Sequence, residues 1–146
     1  MNFALEWRDR RTGTMQTPRR FLDYVIEGES LYEQHGADWI GPLGQWLPVE
    51  ADEKAARRLL RKEEPDVDDR VAVYVCPECA DLDCGAITAV IERAGNEIVW
   101  RDLAMSSYDY DEGEWRHDAT GFEKWCELRF PTTGYYEAIA NRPKPS

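Results

Sequence analysis

Residues 71–85 read VAVYVCPECADLDCG, and this stretch decides how the rest of the chain is interpreted. Its first five residues are β-branched, small or aromatic, a composition that favours a strand. Three of the four cysteines of the chain, Cys76, Cys79 and Cys84, follow at once. Residues 84–92 again have the composition of a strand. The cysteines are therefore predicted to lie at the facing ends of two strands and in the connection between them.

The segments around this stretch predict an antiparallel sheet. Strands are expected at residues 2–8, 21–27, 71–76, 84–92, 97–103 and 124–130. Short helices are expected at residues 30–36, 52–62 and 135–140. Ser30 and Glu33 match a capping box, and Asp52 is a candidate N-cap. This irregular order of elements predicts an α+β fold with a mostly antiparallel sheet and short flanking helices.

Length and charge bound the possible functions. The chain has 146 residues, which predicts one domain over 1–146 with a C-terminal tail at 142–146. It has 29 acidic and 18 basic residues, a net charge of -11. Nucleic-acid binding needs a basic surface, so it is not expected, whereas a basic protein partner would be attracted. No apolar segment is long enough to span a membrane and the first residues are too charged for export, so a cytoplasmic protein is expected.

The cysteine spacing is Cys-x2-Cys-x4-Cys, and its Cys-Pro-x-Cys turn resembles the knuckle of zinc ribbons, in which backbone amides point at thiolate sulfurs. A structural zinc site needs four ligands. Cys76, Cys79 and Cys84 supply three, and Cys126 or His117 is the candidate fourth. Zinc is therefore a candidate cofactor, held by Cys76, Cys79, Cys84 and Cys126.

Other interpretations of the cysteines stay open. A redox role needs a lowered thiol pKa, yet no helix is predicted after the motif, and Glu78, Asp81 and Asp83 raise the pKa of a nearby thiol. Inert thiols in a hairpin loop are a further alternative. Cys126 also has a structural interpretation, as a small apolar side chain that faces the core beside Leu128.

Residues 73–86, followed by Val99-Trp100-Arg101-Asp102, resemble a family of small uncharacterised proteins, mainly from actinobacteria. Its members tend to read CPECGDLGCGA, then a strand, then VVWxDF. The resemblance covers about residues 21–103 and is clearest over 71–103. This chain has Ala80 and Asp83 where glycine is usual, and Leu103 where an aromatic residue is common. The resemblance implies a shared fold and carries no assigned activity, although some members are labelled oxidoreductase.

Residues 108–115, YDYDEGEW, mix aromatic and acidic side chains. One hypothesis is a surface that binds a basic protein, since aromatic side chains supply contact area and carboxylates steer association. The candidate residues are Tyr108, Asp109, Tyr110, Asp111, Glu112, Glu114 and Trp115. The alternative is an exposed hairpin whose turn chemistry alone explains these residues.

Templates for catalysis find little support. His35 and His117 are the only histidines, both expected on the surface, and no phosphate loop, nucleophile elbow or zinc-protease motif is present. The sequence therefore favours a non-enzymatic protein that acts through protein binding, of an immunity or regulatory type. A small domain with a structural zinc site comes second, and a thiol redox protein third.

Overall fold

The computed structural model describes residues 1–11 and 13–146. The strands in these residues are β1 (Phe3–Asp9), β2 (Arg20–Ile26), β3 (Glu29–Ser30), β4 (Val71–Val75), β5 (Ala86–Ala94), β6 (Glu97–Asp109), β7 (Glu114–Asp118) and β8 (Glu127–Pro131). The α-helices are α1 (Leu31–His35), α2 (Val49–Leu59) and α3 (Thr132–Ala140). Single turns of 3-10 helix lie at Leu82–Cys84 and Glu123–Trp125.

The strands form two antiparallel sheets. One has the order β1-β2-β3, and the other runs β4-β5-β6. The far edge of β6 is shared, because its first half pairs with β8 and its second half with β7. The prediction of an α+β fold with mostly antiparallel sheets and short helices is confirmed. None of the described helices combines the length and the apolarity needed to cross a membrane.

Aromatic side chains fill the core between the two sheets. The ring of Phe3 lies 5.0 Å from that of Phe130 and 4.7 Å from that of Tyr135. Trp100 is fully buried beside Tyr24, whose hydroxyl donates to the Val73 carbonyl at 2.9 Å. The Tyr24 contact holds β4 against the first sheet, and β4 ends where the cysteine segment begins.

The prediction that Asp52 caps α2 is wrong. The helix begins three residues earlier, after Pro48. Asp52 is buried instead, and its carboxylate accepts hydrogen bonds from the amides of Gly44 and Gln45, both at 2.9 Å. It also pairs with Arg142 at 3.0 Å, which ties the first residue of the predicted tail to α2. The carboxylate therefore organises a loop rather than a helix end.

The C-terminal strand also begins later than expected. A 3-10 turn occupies Glu123–Trp125, and β8 starts at Glu127. This turn buries Trp125 and leaves Cys126 exposed, so the core-facing interpretation of Cys126 is wrong. His35 is likewise half-buried rather than on the surface, with its ring 4.4 Å from that of Tyr74, and burial lowers its pKa to about 4.

Candidate metal centre

The three clustered cysteines lie in the connection from β4 to β5. Backbone geometry folds this connection tightly: the Ala80 amide donates to the Cys76 carbonyl at 2.8 Å, with Ala80 in the left-handed region at φ 57°. Asp81 then caps the short 3-10 turn, since its carboxylate accepts from the Asp83 amide at 2.9 Å. Gly85 ends it at φ 92°, where a β-carbon would lie 3.0 Å from the Ser106 carbonyl oxygen. The loop is therefore built to return on itself.

This return brings the three sulfurs together. The Sγ atoms of Cys76, Cys79 and Cys84 all lie within 4.8 Å of one another. Those of Cys79 and Cys84 are 3.4 Å apart. Cys76 is half-buried, whereas Cys79 and Cys84 are exposed. Three soft ligand atoms thus converge on one point at the protein surface.

The electrostatics of the cluster favour one thiolate and resist a second. Burial raises the pKa of Cys76, but hydrogen bonds from the amides of Cys79 and Glu78 and from the neighbouring thiols outweigh it and lower that pKa overall. Hydrogen bonding to Cys79 and then to Cys76, with the charge of Cys76, raises the pKa of Cys84 to about 12. A bound divalent cation would remove this conflict, because it favours the deprotonated form of every thiol it contacts.

Arg19 holds the outer side of the knuckle. Its Nε donates to the Pro77 carbonyl at 2.9 Å, and its guanidinium also donates to the Glu78 carbonyl at 3.3 Å. The same guanidinium lies over the Trp46 ring, 5.1 Å from its centroid. Arg19 therefore satisfies two backbone carbonyls of the Cys-Pro-x-Cys turn.

Arg10 anchors the loop from the first sheet. Its buried guanidinium pairs with Asp38 at 2.7 Å and with Glu78 at 3.0 Å. The Glu78 carboxylate also accepts from the Thr17 amide, and this bond first, then Arg10, lowers its pKa to about 2. Glu78 was expected to raise the pKa of the thiols through its charge. It faces a cation instead, so its charge is largely compensated.

Sequence reasoning missed both arginines. Arg10 falls in residues 9–16, which read as a polar turn, and residue 12 of that turn lies outside the described residues. Arg10 and Arg19 lie 68 and 58 positions from their partners in the knuckle. The only available signal was the excess of acidic residues, which makes every arginine a candidate for pairing.

Neither proposed fourth ligand joins the cluster. Among the described residues, the group of ligand atoms within 4.8 Å contains only the three cysteines. The Cys126 carbonyl accepts from the Asp102 amide, whereas Gly85, next to Cys84, lies against Ser106. Asp102 and Ser106 are separated by about 13 Å along β6 at the usual rise of a strand. Cys126 therefore lies beside a different part of the sheet.

His117 takes part in a separate hydrogen-bond chain. Its Nδ1 lies 2.6 Å from the Ser106 Oγ, and its Nε2 lies 3.1 Å from the Asp68 carboxylate. This order of groups resembles a Ser–His–Asp triad. Ser106 is fully buried, however, and its Oγ also bonds Thr88 Oγ1, which accepts from Arg70. The chain therefore satisfies buried polar groups and offers no accessible nucleophile.

The acidic aromatic segment forms the hairpin of β6 and β7 beside the cysteine loop. The rings of Tyr108 and Trp115 stack at 5.5 Å, and those of Tyr108 and Tyr110 are 4.9 Å apart. Tyr110 is 70% exposed, and its hydroxyl donates to the Asp83 carboxylate. The hairpin and the cysteine loop thus share one surface.

Turn chemistry explains part of the acidity of this hairpin. The Asp109 carboxylate accepts from Arg116 at 2.6 Å and from the amides of Asp111 and Glu112 at 3.0 and 3.1 Å. The Arg116 contact first, and then these amides, lower the pKa of Asp109. Asp111, Glu112 and Glu114 are exposed and make no ion pair within the described parts of the chain.

A groove between α2 and β4 reaches the cysteine loop. It has a volume of about 400 Å³ and is lined mainly by aliphatic side chains, together with Cys79 of the cysteine loop and the charged Lys54, Arg58 and Asp66. Cys79 therefore contributes both to the thiol cluster and to the groove.

Comparisons of the chain with protein-family profiles, with curated proteins and with solved structures found no match. The resemblance to an actinobacterial family stays a prediction. The interpretation of the site therefore depends on the geometry of the three thiols and on the contacts that hold them.

Proposed function

We propose that this protein binds a thiophilic divalent cation, zinc above all, through Cys76, Cys79 and Cys84. The observation that carries the proposal is the convergence of their three Sγ atoms within 4.8 Å. Thiolates select zinc and other soft ions over magnesium or calcium, which prefer oxygen ligands.

The sulfur spacing supports zinc quantitatively. With Zn–S bonds of about 2.3 Å, tetrahedral geometry separates two sulfurs by about 3.8 Å. The Cys79 and Cys84 sulfurs are 3.4 Å apart, and no pair in the cluster exceeds 4.8 Å. A bound zinc ion would require shifts of an ångström or less, which rotation of exposed side chains supplies.

The metal would also stabilise the fold around the cysteine loop. It would join the end of β4 to the start of β5 through a loop with few apolar anchors, since Cys79 and Cys84 are exposed. A ligand that binds only the folded state adds stability that grows with the logarithm of its concentration divided by Kd. Metal removal should therefore loosen residues 76–85 before it affects the aromatic core.

Metal content and thiol reactivity, measured on one sample purified under reducing conditions, test this function. The proposal predicts one zinc ion per chain and alkylation of the exposed Cys126 alone, with the other three thiols reacting after a chelator is added. The proposal would be overturned if the protein, after incubation with added zinc, still contained no bound metal and all four cysteines were alkylated rapidly.

A second candidate function is the binding of a basic protein partner by the hairpin, in a regulatory or immunity-type role. The 70% exposure of Tyr110 beside three exposed carboxylates supports it. Replacing Asp111 and Glu114 with lysine should abolish co-purification of a basic partner. The same charge change at the exposed Glu6 and Glu137 should leave the partner bound. Equal retention by both double variants would contradict this function.

A further inference from the structure

We infer that the metal centre has an open fourth position and takes a neutral nitrogen ligand from outside the chain, of the chemical type of an imidazole. This inference rests on the proposed metal binding and specifies the ligand class that completes the same site.

The first step is the ligand count. Zinc takes four ligands, and sites with three protein ligands keep an exchangeable fourth position. The described residues place three ligand atoms in the cluster. The nearest acids along the chain are already engaged, because Asp81 accepts from the Asp83 amide and Asp83 accepts from the Tyr110 hydroxyl. The fourth ligand must therefore come from solvent or from another molecule.

The second step is access. Cys79 and Cys84 are exposed, so the outer side of the cluster faces solvent. The groove of about 400 Å³ between α2 and β4 ends at Cys79. Most of its wall is aliphatic, and two of its three charged side chains, Arg58 and Asp66, pair with each other at 3.7 Å, so a small uncharged ring suits it better than a hydrated ion. An external ligand can therefore reach the metal from solvent and be accommodated in the groove.

The third step is charge. Three thiolates around a divalent cation carry a net charge of minus one. The exposed carboxylates of Asp81 and Asp83 lie in the same loop and add to it. A fourth anionic ligand would bring the charge of the centre to minus two beside these carboxylates, which Lys54 in the groove wall offsets only in part, whereas a neutral imidazole nitrogen adds no charge. A histidine side chain of a partner protein has this chemistry.

The test uses the full-length protein loaded with one equivalent of Co²⁺, whose visible absorption reports the number and type of ligands. Titration with imidazole should shift the d–d bands in a saturable manner while the sulfur-to-cobalt charge-transfer band is kept. Azide, a small anionic probe, should bind at least about fivefold more weakly because of the local negative charge. Cys126→Ser should give the same titrations, since Cys126 lies outside the cluster.

Asp83→Asn provides a charge variant that keeps an acceptor for Tyr110. It should tighten azide binding about twofold and leave imidazole binding unchanged. A spectrum unaffected by imidazole, or azide binding as tight as imidazole binding, would overturn the inference, as would loss of the charge-transfer band during the titration. Failure to form that band at the outset would instead overturn the proposed metal binding itself, and the inference with it.

Discussion

The cysteine loop, residues 76–85, and the acidic hairpin, residues 108–115, lie side by side but differ in how their polar groups are satisfied. In the hairpin, the central Asp109 has a cation and two amides as partners. In the cysteine loop, arginines satisfy the carbonyls and Glu78, whereas the three sulfurs face one another. The three thiols converge and disfavour each other's ionisation, so they indicate a binding site. The many carboxylates of the hairpin are weaker evidence, because its turn satisfies part of them.

Removing one sulfur of the cluster should have the largest effect, a loss of zinc affinity. It also tests whether the fourth cysteine, Cys126, is a ligand. Cys79→Ser should weaken zinc binding by more than about 100-fold, because even partners of metal ligands change affinity by 10- to 100-fold. Cys126→Ser should leave it unchanged, since Cys126 lies outside the cluster. Competition with a chromophoric chelator measures both constants. Equal losses in the two variants would mean that Cys126 is a ligand.

Removing the anchor of the loop should destabilise the fold. Arg10→Met deletes charged hydrogen bonds to Asp38 and Glu78 from a buried side chain. We expect the free energy of unfolding to fall by about 2 kcal/mol, a value reduced by the partial exposure of both carboxylates. Arg11→Met removes a half-exposed side chain and should cost less than about 1 kcal/mol.

Urea unfolding of the metal-free proteins measures both of these changes. Equal values for the Arg10 and Arg11 variants would show that the loop does not depend on the Arg10 anchor.

Proton release should make metal affinity depend on pH. The pKa of Cys84 is raised to about 12, so in the metal-free protein this thiol keeps its proton at neutral pH. The metal must displace that proton, and affinity therefore rises with pH. We expect at least about a tenfold gain per pH unit near neutrality, for one proton released. Competition with a chelator at several pH values, corrected for protonation of the chelator, measures this rise in affinity. A metal affinity that does not change with pH would contradict thiol ligands.

The smallest expected effect concerns the backbone of the loop. Ala80 adopts φ 57°, a left-handed conformation that costs a residue with a β-carbon about 1–2 kcal/mol. Ala80→Gly should stabilise the protein by about 0.5–1 kcal/mol after the greater freedom of glycine in the unfolded chain is counted. Ala51→Gly, in the exposed part of α2, should destabilise it by about 0.5 kcal/mol. Loss of stability in both variants would contradict the strain at Ala80.

Local patterns in the sequence predicted the local structure well. The alternation at residues 2–8 and 21–27 correctly predicted two strands, which pair with each other as β1 and β2. Ser30 caps α1 as predicted, with its Oγ accepting from the Glu33 amide at 3.1 Å, whereas the Glu33 carboxylate contacts Arg8 and Arg11. The strands expected at residues 84–92 and 97–103 are also present as parts of β5 and β6, joined by a tight turn with Gly95 in the left-handed region. Each of these features depends on contacts between close neighbours or on a residue's own conformational preference.

Features that depend on distant partners could not be predicted. The alternation of Cys126, Leu128 and Phe130 fits a strand, yet the core accepts Trp125 in place of Cys126. Nothing local in residues 9–16 indicates that Arg10 meets Glu78. The spacing of Cys76, Cys79 and Cys84 correctly grouped three residues because they share one loop. The periodicity of apolar residues predicts which face of a strand or helix a residue occupies, but not which distant side chain it contacts.

X-ray absorption spectroscopy of the zinc-loaded full-length protein tests the central claim most directly, because it counts the sulfur atoms bound to the metal. The three-thiol centre predicts three sulfurs at about 2.3 Å and one lighter atom, oxygen or nitrogen, in the first shell. Four sulfurs would mean that Cys126 or a second chain completes the site. One sulfur or none would mean that Cys76, Cys79 and Cys84 do not bind the metal together.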